Sequence, residues 1–322
     1  MKENSKLSIL IVGRALQILI ALISIKISTK LLSANEIGNL YLILSIASFF
    51  GLFLVNPIGQ YINRKTHQWH DESNLINIMY IYNIYIIAIS LFSIFITYLM
   101  HHLSIGTGID LTYFMFFIAL FIYFSTWNQT IIPMINMLEY RIAFVVFTLA
   151  SQLLFLALAY FLINIFGPLG VFWFLGQAIS FGIVAVIAMI YFTRNIQSNF
   201  NFSIAHKMIS IENLKEVLKF SAPLSIGVLF LWMQTQSYGV IIEKYIGAEF
   251  LGYFGVGIAV ALAISSAFEA VIMQYLYPKM YESMKDENKF SIVMSNILNL
   301  IIPIYFLLAI FVSIFSIYIM AI

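Results

Sequence analysis

A few charged residues set inside long apolar runs are best placed to do chemistry. Arg14 stands about a third of the way along the first run, with Gln17, Ser24 and Ser28 near its face at helical spacing. A guanidinium offers paired N–H donors to an oxyanion such as phosphate; the alternative is a side chain that snorkels to lipid headgroups. Lys26 and Lys30 lie one turn apart nearer the far end of the same run, where they either attract an anion or snorkel. Glu269 is deep in a later run, with no nearby Lys or Arg in that run to neutralise it. It suits proton exchange or cation binding, or else stays protonated or pairs with Arg14 or Lys26. Uncharged polar clusters follow: Asn56, Gln60 and Asn63 around Pro57; Asn128 and Gln129 beside Ser125 and Thr126; and Gln234 with Gln236. Such groups bind hydroxyl-rich ligands in a cavity, or bond one helix to the next.

The elements that must position these residues are membrane helices. Hydrophobic residues make up 62% of the chain and charged residues 9%, against about 25% charged in soluble domains. Lipid is therefore the solvent for most of the surface. About nine segments are long and apolar enough to span, at 8–31, 40–62, 75–100, 111–133, 143–166, 169–192, 218–242, 251–276 and 291–320. Strand alternation is absent, so the fold class is all-α and polytopic. The first run lacks a small-residue cleavage site after a short apolar core and reads as a retained helix, not a signal peptide. Lys and Arg collect in alternate loops. Arg64, Lys65, Arg141, Arg194, Lys207, Lys215 and Lys219 fall on one side with Lys2 and Lys6, and Lys244 is almost alone opposite. The basic side, with the N-terminus, is expected to be cytoplasmic.

An internal repeat organises these helices. The stretch from Lys30 to Leu40 resembles Lys244 to Phe254 at an offset of 214 residues, placing Gly38 on Gly252, Gln60 on Gln274 and Lys65 on Lys279. Both copies run in the same direction, which implies two lobes related by an axis along the membrane normal. The expected organisation is a six-helix lobe over 1–200, an amphipathic cytoplasmic linker over 201–217, and a second lobe over 218–322; the stretch IENLKEVLKF at 211–220 reads as an amphipathic helix lying on the membrane surface. With three helices before Ile322, the second lobe is expected to be incomplete.

The segments LLSANEIGNLYLI, LKFSAPLSIG and IIEKYIGAEFLGYFGVG resemble the polysaccharide (O-antigen) flippase family of the MATE-like exporters. Two features depart from that pattern: nine helices where twelve or more are usual, and Gln234, Thr235, Gln236 and Ser237 where many relatives carry an acid. The resemblance implies a two-lobe transporter in the bacterial inner membrane. It would flip a polyprenyl-diphosphate-linked oligosaccharide, an O-antigen or capsule repeat unit, to the outer leaflet. On that reading Arg14 and Lys26 hold the diphosphate, Asn56, Gln60, Asn128, Gln129 and Gln234 bind sugar, and Glu269 couples a proton or sodium ion. Membrane lipids and a polysaccharide polymerase are the implied partners. Other readings are a drug antiporter of related fold, a non-transporting scaffold, and a membrane enzyme of polysaccharide assembly, which the short outer loops disfavour. The chain has no cysteine, no catalytic-serine, phosphate-loop or metal-helix motif, and a net charge of +2. No cofactor, metal or nucleic-acid partner is expected; His101 and His102 read as surface residues.

Overall fold

The computed structural model describes residues 3–196 and 200–263, with scattered helical positions between 265 and 310. The elements are α1 (Glu3–Leu31), α2 (Ala34–Phe49), a π-helical turn (Phe50–Val55), α3 (Asn56–Asp71), α4 (Leu75–His102), α5 (Leu111–Met137), α6 (Arg141–Phe166), α7 (Gly170–Asn195), α8 (Phe202–Met208), α9 (Ile211–Thr235) and α10 (Tyr238–Tyr245). A further apolar helix, α11, covers Ala248–Ala263. No strand occurs among the described residues. Seven helices there are long and apolar enough to cross a membrane; the ninth segment, 291–320, is described only at scattered positions.

The helices alternate in direction, as the loops require. Contacts gather the turns before α2, α5 and α7 at one end, where Gly170 N–H meets Glu36 and Gly106 N–H meets Glu243. At the other end Asn201 N–H donates to Asn77, close to the loops that carry the Lys and Arg excess. We call these the far end and the basic end. Large apolar side chains such as Leu91 (62% exposed) and Phe161 (59%) line the outside. That surface is tolerable only in lipid, where apolar exposure has no hydration penalty.

The first lobe is built around α5 and α7. Small residues bring backbones together: Gly176 lies against Ala159, and Gly182 against the Phe124 ring. Ser180 donates to the Ser151 carbonyl at 2.7 Å. One apolar core, with Phe114, Ile118 and Phe174, fills the far half; another, with Tyr82, Ile131 and Phe192, fills the basic half.

The second segment is longer than expected. Residues 34–71 form one continuous 38-residue span, about 57 Å at 1.5 Å per residue, so its polar end runs past the hydrocarbon. Pro57 lacks an N–H and disturbs the ladder. The helix answers with a π turn in which Asn56 N–H bonds the Gly51 carbonyl, and the Leu54 carbonyl accepts from the Tyr85 hydroxyl at 2.8 Å.

Two expectations for the later chain are revised. The stretch read as a separate surface helix, 211–220, opens α9 and continues into its apolar part. Ser210 caps this start by accepting from Asn213 N–H. The seventh segment, expected to be unbroken over 218–242, is divided after Thr235: Gln236 and Ser237 N–H groups both turn back to the Trp232 carbonyl. Polar side chains compete there for backbone bonds that an aliphatic run leaves to the helix.

The repeat has a structural counterpart. α1 ends at Leu31 and α10 at Tyr245; α2 starts at Ala34 and α11 at Ala248. Both pairs keep the 214-residue offset. The two copies also touch reciprocally: a Cβ on Gly38 would collide with the Ala248 carbonyl, and one on Gly252 with the Ala34 carbonyl. Gly38→Ala and Gly252→Ala should each destabilise the detergent-solubilised protein by roughly 1–3 kcal/mol through overpacking. Gly227→Ala, where nothing lies within 4 Å, should be neutral or stabilising by up to about 1 kcal/mol. Denaturant titration of the three variants checks the ranking.

Candidate functional site

Two regions meet along a single seam: the continuous α2–α3 span of the first lobe, and α9, α10 and α11 after it. Starting at the far end, Gly38 and Gly252 cross, and the Tyr41 ring lies on Gly255. Next, the Ser45 hydroxyl donates to the Gln236 carbonyl at 2.6 Å, so an α2 side chain bonds backbone at the break in helix seven, sharing that carbonyl with the Gly239 N–H. Trp232 Nε1 donates to the Ser45 carbonyl (3.0 Å) and Ser48 Oγ (3.1 Å), and its ring meets Phe49 edge-on at 5.1 Å. At mid-depth the Ser221 hydroxyl donates to the Pro57 carbonyl at 3.3 Å. Tyr61 packs on Phe220 at 5.6 Å, and Lys65 pairs with Glu216 at 3.3 Å at the basic end.

The residues singled out from sequence are dispersed relative to this seam. Asn56 and Gln60 flank it on α3, where Gln60 Nε2 donates to Asn56 Oδ1 at 3.2 Å. Gln234 is exposed in the last turn of α9, two residues from Trp232. Asn128 is buried inside the first lobe, donating to Ser151 Oγ at 2.9 Å and to the Phe181 carbonyl at 3.4 Å. Those are interhelical bonds of the structural kind. Gln129, next to it, is exposed. On α1, Gly13 packs against Val145 of α6. Arg14 emerges beside that contact, exposed, with Nη1 donating to buried Gln17 at 3.1 Å. Lys26 is also exposed, but twelve residues along a helix place it about 120° around from Arg14, so the two do not converge. No acidic group among the described residues pairs with either. Glu269, Gln274 and Lys279 lie outside the described residues.

Four features escaped the sequence reading. Glu36 receives the Gly170 N–H at 2.8 Å and Asn39 Nδ2 at 3.1 Å, so the acid of the first link caps α7 and holds the Asn39 side chain of its own helix. Its signal was the motif itself, an acid in the first turn of α2. Tyr61, Phe220 and the charged groups around them line a cleft of about 560 Å³ between α3 and α9. Those charges counted only toward topology in the sequence, because residues 150 positions apart give no sign of meeting. A second cavity, about 530 Å³ and mainly apolar, lies between α4, α5 and α7. There Asn83 accepts from the Tyr123 hydroxyl and Trp127 Nε1.

The fourth feature is Glu243, beyond the end of the seventh span. One carboxylate oxygen accepts the Gly106 N–H at 2.9 Å; the other is buried without a partner among the described residues. Burial pushes the carboxyl up from its ordinary range, against smaller opposing effects of the Gly106 bond and adjacent Lys244. Among the described residues no group of three His, Cys, Asp or Glu could hold a metal ion.

The sequence model of the polysaccharide biosynthesis protein family matches residues 5–284. The chain belongs to that family, the family of O-antigen flippases in the MOP exporter superfamily. Its members are generally transporters or flippases, not enzymes. No curated protein and no solved structure matches at a significant level.

The raised Glu243 carboxyl sets a pH dependence at the far end. Its contribution to stability is complete below the ordinary carboxylate range and is lost as pH rises through the folded-state value, because the unfolded chain releases the proton first. Thermal unfolding from about pH 4 to 8 should show this decline in the parent, and Glu243→Gln should flatten it.

Proposed function

We propose that this chain moves a lipid-diphosphate-linked oligosaccharide, an O-antigen or capsule repeat unit, from the cytoplasmic to the outer leaflet by alternating access. The observation that carries the reading is the seam. A duplicated helix pair meets itself about Gly38 and Gly252, one partner helix is broken at Gln236–Ser237, and small polar bonds hold the two sides. Two lobes joined through small residues and a few hydrogen bonds can part and re-form at modest expense, and discontinuous helices are where transporters expose backbone polar groups to cargo. Family membership supports transport of a polysaccharide precursor.

In this reading the basic end faces the cytoplasm, in the bacterial inner membrane. Arg14 and Lys26 act on the diphosphate at successive depths, since their faces diverge. Asn56, Gln60, Gln129 and Gln234 meet sugar hydroxyls when the seam opens, and Asn128 contributes after its lobe rearranges. Glu269 exchanges a proton or sodium ion to drive the cycle. The cationic side chains near the helix ends favour an anionic cargo over the cationic drugs of the related antiporters. Lipid surrounds the bundle, and a polysaccharide polymerase would take the product.

Two tests follow. Single cysteines introduced at Gln68 and Lys207 should label only from the inner side, and at Thr107 and Tyr245 only from outside; all four are exposed and the chain has no other cysteine. External labelling of Lys207→Cys would reverse the orientation. In proteoliposomes, Arg14→Ala should slow glycolipid flipping about ten- to a hundredfold, the worth of a charge-assisted contact. Arg14→Lys should recover part of it, because lysine lacks the planar fork. Undiminished flipping by Arg14→Ala removes this residue from the mechanism.

A further inference from the structure

We propose that the cleft between α3 and α9 at the basic end is a docking site for the phosphate group of a membrane lipid. It is lined by Tyr61, Arg64, Lys65, Gln68, Glu216, Lys219 and Phe220. Three cations therefore face a single carboxylate. Its volume, about 560 Å³, is within the range of small-ligand sites.

The cations are not equally engaged. Lys65 is committed within the cleft, to Glu216 at 3.3 Å and to Gln68 at 3.3 Å. Arg64 lies over the Phe220 ring at 5.6 Å, a cation–π contact that needs none of its hydrogen-bond donors. Neither Arg64 nor Lys219 has a hydrogen-bond acceptor or acidic partner among the described residues. The Tyr61 hydroxyl lies beside Glu216 and helps hold its charge, so the one carboxylate, paired with Lys65, occupies the place an anionic ligand would take. A lipid-linked diphosphate brings more acceptor oxygens and more charge than a carboxylate, a phosphodiester brings two free oxygens and one charge, and a guanidinium binds either through paired bonds.

Depth identifies the ligand as a lipid. α3 buries Tyr61, Ile62 and Trp69 while exposing Arg64, His67 and Gln68, the pattern of a helix leaving the hydrocarbon. The cleft opens at that transition, where headgroup phosphates reside. Basic clusters at this level recognise anionic headgroups. Two lipids carry the chemistry: the diphosphate of a lipid-linked sugar and the monophosphate of an ordinary anionic phospholipid. The diphosphate source rests on the flippase reading above; the phosphate chemistry does not. If the diphosphate is the ligand, the cleft is where cargo first touches both sides of the seam, and displacement of Glu216 from Lys65 by phosphate would loosen the basic end.

The test uses the full chain in phosphatidylcholine nanodiscs, titrated calorimetrically with farnesyl diphosphate. The Arg64→Gln/Lys219→Gln double variant should bind about tenfold more weakly or worse. Glu216→Gln should bind several-fold more tightly, because it removes the competing charge and frees Lys65; a misfolded variant would not gain affinity. Adding phosphatidylglycerol to the nanodiscs distinguishes the sources. Competition at matched phosphate concentration assigns the site to ordinary phospholipid, and competition only in large excess assigns it to diphosphate. No binding by the parent, equal binding by parent and double variant, or weaker binding by Glu216→Gln would each overturn the proposal. Binding is read without transport, so a protein that binds but does not flip glycolipid would sink the flippase reading and leave this site standing.

Discussion

The close crossing of Gly38 and Gly252 is the constraint on which the rest of this structure depends. Neither position has room for a methyl group, because each faces a carbonyl of the opposite helix. In lipid, where apolar contact between helices gains little, such small-residue crossings supply the packing that joins helices. The crossing is reciprocal: Ala34 and Gly38 meet Ala248 and Gly252, each pair the 214-residue image of the other. That reciprocity is what a duplicated unit packing on itself about a two-fold axis produces, and it fixes the starts of α2 and α11 side by side.

The geometry of the seam follows. With α2 and α11 crossed at the far end, α9 and α10 must descend beside the α2–α3 span over its whole length. Two irregularities fall on that path. Pro57 forces a π turn into the first-lobe helix, and Gln236–Ser237 breaks helix seven. Side chains of neighbouring helices bond backbone carbonyls beside each of them, Ser45 at Gln236 and Tyr85 at Leu54. The result is a contact of hydrogen bonds, rings and apolar side chains such as Leu251 and Val240, tied at one end by Glu243 and Gly106 and at the other by Lys65 and Glu216. In the proposed transport cycle this seam is what opens at either end.

Much of the architecture was legible because lipid imposes it. Apolar runs of spanning length, and alternating loop charge, had no other reading, and seven of the expected spans are helices that could cross. The repeat was legible from Lys30–Leu40 and Lys244–Phe254 alone, and its offset matches the observed helix ends to the residue. What remained hidden depends on contacts between distant segments. Glu243 looked like one more loop residue until the Gly106 N–H was found against it. Arg64, Lys65 and Lys219 looked like topology markers until α3 and α9 were seen to converge. Asn128 is a further case: its bond to Ser151 of the neighbouring helix in this conformation cannot be read from a polar residue inside an apolar run.

The central claim is that this seam must part for the protein to work. Ser45 and Gly239 face each other across it: a Cβ built on Gly239 lies 2.7 Å from the Ser45 Cβ. Relaxation of about 1 Å brings the pair into disulfide range. The Ser45→Cys/Gly239→Cys chain, otherwise free of cysteine, should cross-link on mild oxidation, stop flipping glycolipid in proteoliposomes while cross-linked, and resume on reduction. Cross-linked protein that flips at the rate of its reduced form would contradict the account.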